Sequence, residues 1–172
     1  MATLKEIGAR IWAALAERET QKWASKPVET QDAVLHRLLQ AAKDTAFGQD
    51  HGFAEIRSYA DFKARVPLRD YEGLRSYVDR VVDGESDVLW PGRPLYYAKT
   101  SGTTSGAKYI PLTKESVPYH IKSARNALFA HIRNTGRTGF LNGKMIFLQG
   151  SPELEDKKGV ALGRLSGITA HF

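Results

Sequence analysis

The sequence predicts an α/β chain, with a mainly helical first half leading into the start of a mixed or parallel sheet. Three observations predict it. Before residue 85, apolar residues recur at three- and four-residue spacing in successive capped segments, the mark of amphipathic helices. From residue 95, short β-prone runs flank one long helical pattern, and strand, helix, strand implies an α/β layer. Between two of those runs, residues 100–106 are nothing but hydroxyls and glycines.

Residues 3 to about 24 read as a first helix, with Leu4, Ile7, Ile11, Trp12 and Leu15 as its packing stripe and Pro27 as its end. A second helix is expected from Thr30 or Gln31 to Thr45, carrying Val34, Leu35, Leu38, Leu39 and Ala42, with Gly48 as a stop. The two would pair antiparallel, and His36 would be a surface or packing residue. After a short connection at 53–56, Ser58 and Asp61 form a capping-box pattern that opens a short helix closed by Pro67. Asp70 caps a clearer helix with Tyr71, Leu74, Tyr77, Val78 and Val81 on one face and Gly84 beyond its end. Val88, Leu89 and Trp90 suggest a short strand.

Next come a strand over 95–98, the hydroxyl-rich loop, and a strand from Tyr109 broken by Pro111 and Thr113. Thr113 can cap a helix from Lys114 to about Asn134, with Pro118 near its first turn and Gly136 after its end. The continuous apolar run at 145–148 suits a buried strand. A polar loop over 151–159 then leads to a last strand at 160–162 and the segment 163–168. Residues 1–92 thus read as a helical scaffold, and 93–172 as the beginning of a sheet-bearing subdomain, one incomplete domain rather than two. The apolar end at 168–172 predicts that the chain is the N-terminal part of something longer.

The loop carries the chemistry. Gly102 and Gly106 remove Cβ atoms that would block approach, so backbone N–H groups can converge on one anion. Thr100, Ser101, Thr103, Thr104 and Ser105 add five hydroxyls, and Lys99 and Lys108 flank them with positive charge. A polyphosphate is the ligand such a loop suits. It is not a Walker loop, because only three residues separate the glycines, Lys108 comes two later, and a strand follows. The dinucleotide pattern Gly-x-Gly-x-x-Gly is also absent.

Composition narrows the rest. The 172 residues carry no cysteine, which excludes disulfides and thiolate-ligated metals and fits a reducing cytoplasm. No apolar run approaches the roughly 18 residues of a membrane span. The formal charge of +6 is concentrated, since residues 93–144 hold nine basic residues against Glu115 alone, a net +8. That excess surrounds the loop and would concentrate an anionic ligand there. It could also be a nucleic-acid surface, but aromatic residues do not interleave with the basic ones as single-strand binding requires.

The stretch Thr100-Ser101-Gly102-Thr103-Thr104-Ser105-Gly106-Ala107-Lys108 resembles the phosphate-binding signature of the acyl-adenylate-forming superfamily. Most members read Ser-Gly-Thr-Thr-Gly-x-Pro-Lys. This chain places Ser105 before Gly106 and Ala107 where proline is usual, and Tyr109-Ile110-Pro111 follow Lys108. That variant resembles the auxin-responsive Gretchen Hagen branch, the acyl-acid amido synthetases. So do Thr45-Ala46-Phe47-Gly48, Phe62-Lys63, Val66-Pro67-Leu68, Asp70-Tyr71-Glu72 and Leu89-Trp90-Pro91-Gly92, in that order. The likeness covers roughly residues 30–172.

The resemblance implies the start of an acyl-adenylate-forming N-terminal domain. It implies that the parent enzyme activates a carboxylic acid with ATP and Mg2+, then passes the acyl group to an amine such as an amino acid. Ser101, Thr103, Thr104 and Ser105 would bind the β- and γ-phosphates with Gly102 and Gly106, and Lys108 would add longer-range charge. Lys99 would either add flanking charge or point away along its strand. Ser166 and Gly167, in the segment 163–167, would lie near the acyl pocket. No catalytic residue and no metal ligand is expected within the chain. The adenine and ribose contacts, the magnesium carboxylate and a mobile C-terminal domain would follow Phe172, so the chain alone is not expected to catalyse adenylation. His120, His131 and His171 are expected to be structural or surface residues. A non-catalytic nucleotide- or phosphate-binding module is the alternative. Either way, small molecules rather than membranes or nucleic acids are the expected partners.

Overall fold

The computed structural model describes residues 3–100, 107–144 and 146–171. These form two compact units, residues 1–30 with 115–148, and residues 31–114 with 149–172. Position 92, the expected boundary between scaffold and sheet, lies inside the second unit.

In the first unit, helix α1 (Leu4–Ala24) opens on a capping box between Thr3 and Glu6. Helix α6 (Val117–Thr135) starts three residues later than expected and ends at Gly136, which is left-handed with φ +68°. The two pack along each other. Their interface corrects the expected one. Ala13 is fully buried, whereas Leu4, Ile7, Ile11, Trp12 and Leu15 are exposed. Glu17 and Glu19 pair with Arg133 and Lys122 of α6, both at 2.5 Å. Arg10 donates to the Gly136 carbonyl at 2.9 Å. Small side chains let the two helices approach closely and exposed ion pairs join them; spacing alone reports a stripe without naming what it faces. Pro27 is the first residue of helix α2 (Pro27–Ala42) rather than a terminator.

The second unit holds two cores. Leu39 and Ala42 of α2 pack with Phe53 and Ile56. Gly48 does not stop α2; it sits within a short helix, α3 (Ala46–Asp50), capped by the buried Thr45 hydroxyl, which accepts from the Gly48 N–H at 3.1 Å. A Cβ on Gly48 would come within 2.0 Å of the Ala42 carbonyl oxygen, so close approach explains that glycine. A single 3-10 turn spans Phe53–Glu55. The expected capping box is present on α4 (Tyr59–Arg65). There the Asp61 carboxylate accepts the N–H groups of Arg57 (3.1 Å) and Ser58 (3.0 Å). These bonds hold its pKa below the usual value. Because the folded pKa is the lower one, the cap is intact at neutral pH and is lost as pH falls through it. An NMR titration of the Asp61 carboxyl is expected to show a midpoint below that of Asp in a model peptide.

Helix α5 (Tyr71–Val82) is capped by Asp70, whose carboxylate accepts from the Gly73 N–H at 2.9 Å. It lies against a four-stranded sheet made of β1 (Tyr96–Lys99), β2 (Tyr109–Leu112), β3 (Glu155–Lys157) and β4 (Val160–Gly163), in the order β2-β1-β4-β3. Strand β1 is antiparallel to β2 and parallel to β4, and β3 is antiparallel to β4. Val78, Val81 and Val82 bury against Tyr97, Val160 and Leu162.

Four expectations are corrected here. Val88–Trp90 is not a strand, because the Asp87 and Val88 carbonyls accept the first N–H groups of α3 at 2.8 and 2.9 Å instead of joining a ladder. Pro111 does not break β2. The bond from Thr100 N–H to the Lys108 carbonyl (3.0 Å) makes 100/108 a hydrogen-bonded pair, so alternation leaves 99/109 and 97/111 as non-bonded pairs. The absent N–H of Pro111 thus faces the outer edge, where it costs nothing. The polar loop at 151–159 contains β3, joined to β4 by Lys158 and Gly159 with φ +52° and +78°, the positive values a tight two-residue turn requires. Finally, Ile146, Phe147 and Leu148 are exposed and carry no strand. A continuous apolar run has no period to orient it, so the sequence alone does not tell a buried run from an exposed one.

Candidate functional site

The loop expected to bind phosphate joins β1 to β2 as a hairpin. Its two stems are positioned differently: β1 is held on both sides, whereas β2 is an edge strand. Ser101, Gly102, Thr103, Thr104, Ser105 and Gly106 lie outside the described residues, so their predicted phosphate contacts remain expectations. The stems are described. Lys108 is half-buried, and its ammonium lies 5.1 Å from the centre of the Tyr71 ring.

Beside the hairpin is a cavity of about 680 Å³. Lys99, Thr100 and Ala107 form one wall from the stems, and Leu162, Gly163 and Arg164 a second from the end of β4. Ser151, Glu153, Leu154 and Glu155 supply the third. Since β1 and β4 run parallel, their carboxyl ends meet at the same edge of the sheet, where open α/β sheets characteristically bind ligands. Lys99 is among the residues that line the cavity. Among the described residues neither Lys99 nor Arg164 has an ion-pair partner; with Glu153 and Glu155 they are the charged groups lining a space large enough for a nucleotide-sized ligand.

Ser166 and Gly167 do not line this cavity; they hold its third wall. The Ser166 hydroxyl accepts from the Gly150 N–H at 3.0 Å. Gly167, in the short helix α7 (Leu165–Ile168), lies so close to Ser151 that a Cβ would fall 1.9 Å from its carbonyl oxygen. Sequence reasoning missed Arg164 and Glu153. Arg164 stood in the singled-out segment 163–167, but nothing in the sequence signalled that Glu153 would line the same cavity. Tyr71 stood in a quoted motif, with no sign that it would reach β2.

His36, His131 and His171 have structural contacts, and His120 is exposed on α6. His171 Nε2 lies 2.7 Å from the Pro152 carbonyl, His131 packs edge-on to Phe140, and His36 bridges the Asp32 and Arg57 carbonyls at 2.9 Å each. Those two carbonyls hold the His36 pKa above its ordinary value. Nor is the basic window all free charge, since Lys122 and Arg133 are paired with α1 carboxylates. No group of three or more His, Asp or Glu side chains able to hold a metal occurs among the described residues. No helix among them is long and apolar enough to cross a membrane.

The fold, the hairpin and the motif order coincide with one known family. Residues 16–171 match the family model described as the GH3 family N-terminal domain. The chain belongs to the GH3 family. Among GH3 relatives, it is 32% identical over 120 residues to the indole-3-acetic acid-amido synthetase GH3.15 of Arabidopsis thaliana, covering 69% of this chain and 20% of that protein. It is 26% identical over 136 residues to the jasmonoyl-L-amino acid synthetase JAR4 of Nicotiana attenuata, covering 77% of this chain and 23% of that one. The solved structure of a GH3.15 acyl acid amido synthetase superposes with a TM-score of 0.75 at 25% identity, over 91% of this chain and 28% of its own. This GH3 chain thus spans about a fifth to a quarter of the length of the curated relatives it matches. The mixed α/β fold and the membership expected from the loop signature both stand.

Proposed function

We propose that the chain is the N-terminal part of an ATP-dependent acyl-acid amido synthetase that acts in the cytoplasm on small carboxylic acids and amino acids. Residues 93–172 would begin its ATP-binding subdomain, with 1–92 as helical scaffold. The observation that carries this reading is the hairpin bearing the hydroxyl-rich loop, which opens beside a cavity at the carboxyl ends of β1 and β4. Two relatives named as amido synthetases of an auxin and of jasmonate support the reaction class.

In the proposed reaction an oxygen of the substrate carboxylate attacks the α-phosphorus of ATP, the bond to the β-phosphate breaks, and pyrophosphate leaves. The amine nitrogen of the second substrate then attacks the acyl carbon, loses a proton, and AMP leaves. No protein nucleophile is needed, so the chain's task is positioning and charge neutralisation. Hydroxyls and amides of Ser101, Gly102, Thr103, Thr104, Ser105 and Gly106 would receive the β- and γ-phosphates, and Lys99, Lys108 and Arg164 would offset their charge. Magnesium enters with the nucleotide. Ser166 and Gly167 would shape the acyl side by holding the wall at 150–151.

Calorimetric titration with MgATP tests the reading. A hydrogen bond to a charged group is worth about 1.5–3 kcal/mol, so Thr103→Val is expected to weaken binding about ten- to a hundredfold. Unchanged affinity in that variant would remove the loop from the site. Tight binding without any pyrophosphate exchange in the parent enzyme would favour the non-catalytic module.

A further inference from the structure

Tyr71 meets the chain immediately after the loop in two ways. Tyr109 belongs to a non-bonded pair of the β1–β2 ladder, so its N–H and carbonyl both face the open edge of the sheet. The Tyr71 hydroxyl occupies that edge: it accepts from the Tyr109 N–H at 2.9 Å and lies 3.5 Å from the Tyr109 carbonyl, toward which it can donate. One phenol thus stands where a further strand would pair. The same side chain offers its ring to Lys108, whose ammonium is 5.1 Å from the ring centre. Arg75 also lies near that ring, at 5.6 Å, but its charge is met by Glu72 through bonds of 2.6 and 2.9 Å. Lys108 has no carboxylate at ion-pair distance among the described residues. Glu72, whose pKa is lowered chiefly by Arg75 and further by Lys108, attracts it from beyond ion-pair distance, and the Tyr71 ring is its direct contact among the described residues.

We propose that Tyr71 is a positioning residue for anion binding at the hairpin: its hydroxyl anchors the edge strand at Tyr109, and its ring holds the Lys108 ammonium beside the loop. This rests on the reading of the loop as a phosphate site and adds to it a residue outside the loop. The physical need is plain. The leading stem is locked between two strands, whereas the trailing stem has a neighbour on one side only. An ammonium on a flexible four-carbon stem loses affinity if it must be ordered at each binding event. Asp70 caps α5 directly before Tyr71, so the helix start fixes where that ring stands.

Two independent measurements test this. The first needs no ligand. In Tyr71→Phe, amide hydrogen exchange at Tyr109 is expected to quicken about tenfold, the loss of one good hydrogen bond, with Ala98 and Ile110 unchanged. An unchanged Tyr109 rate overturns the anchoring role. The second uses inorganic tripolyphosphate as probe, titrated into variants whose melting curves show them folded. Tyr71→Leu is expected to weaken binding about two- to fivefold, as a part-exposed cation–π contact predicts, and Tyr71→Phe less. In a Lys108→Met background, Tyr71→Leu and Tyr71→Phe should cost the same, because both lose the hydroxyl and the ring acts only through the ammonium. A surplus loss in Tyr71→Leu that persists without Lys108 overturns the ring's role as a structural effect only. If the unaltered chain binds no tripolyphosphate while the exchange result holds, the phosphate reading fails and the anchor survives as an edge cap alone.

Discussion

Tyr97→Ala is expected to destabilise the second unit by about 3–5 kcal/mol, the range for removing a large aromatic from a core. Tyr97 is fully buried, at 0% exposure, in the central strand that leads into the loop. Its ring fills the space between the three valines of α5 and the last strand, and its hydroxyl donates to the Val81 carbonyl at 2.6 Å. Truncation therefore opens a cavity under the strand that carries the site. Tyr97→Phe separates the two contributions. The Val81 carbonyl keeps the Gly84 N–H at 3.0 Å, so that variant loses one hydrogen bond and is expected to cost about 1 kcal/mol. Urea unfolding followed by tryptophan fluorescence reads both; a Tyr97→Ala midpoint near that of the unaltered chain would mean that β1 does not organise this core.

Gly167→Ala should cost about 1–3 kcal/mol or more, as overpacking does, and should also displace one wall of the cavity. The added Cβ would meet the Ser151 carbonyl oxygen at 1.9 Å and its carbon at 2.9 Å. Both partners are backbone, so neither can rotate away as a side chain would. Relief has to come from moving 150–151, and Ser151 lines the cavity. Gly8→Ala is the control: it lies within α1, nothing is within 4 Å of its added Cβ, and it is expected to stabilise by about 0.5–1 kcal/mol. Comparable melting temperatures for Gly167→Ala and Gly8→Ala would contradict the packing described for α7.

What could be read from the sequence differs from what could not in a consistent way. The caps at Ser58 and Asp70 and the left-handed stop at Gly136 all lie where the residues predict them, because a cap is satisfied within three or four residues. Gly48 was misread for the complementary reason. As punctuation it resembles a helix stop, and only the approach of the Ala42 carbonyl explains why no side chain fits there. Pro111 misled in the same way, since whether a missing N–H matters depends on which edge of the strand faces outward.

The sequence by itself determined the α/β class, the starts of α1, α4 and α5, the strand–loop–strand hairpin, and a loop signature specific enough to identify the family. Each is a local property, set by backbone preference, a neighbouring side chain or a short spacing. Only the tertiary structure decided that α1 packs its small residues on α6, that 146–148 stays exposed, and that Lys99 and Arg164 meet at one cavity. It alone decided that Tyr71 reaches the far side of the loop. Those facts depend on which distant surfaces meet, and apolar spacing states that a face is to be covered without encoding its partner.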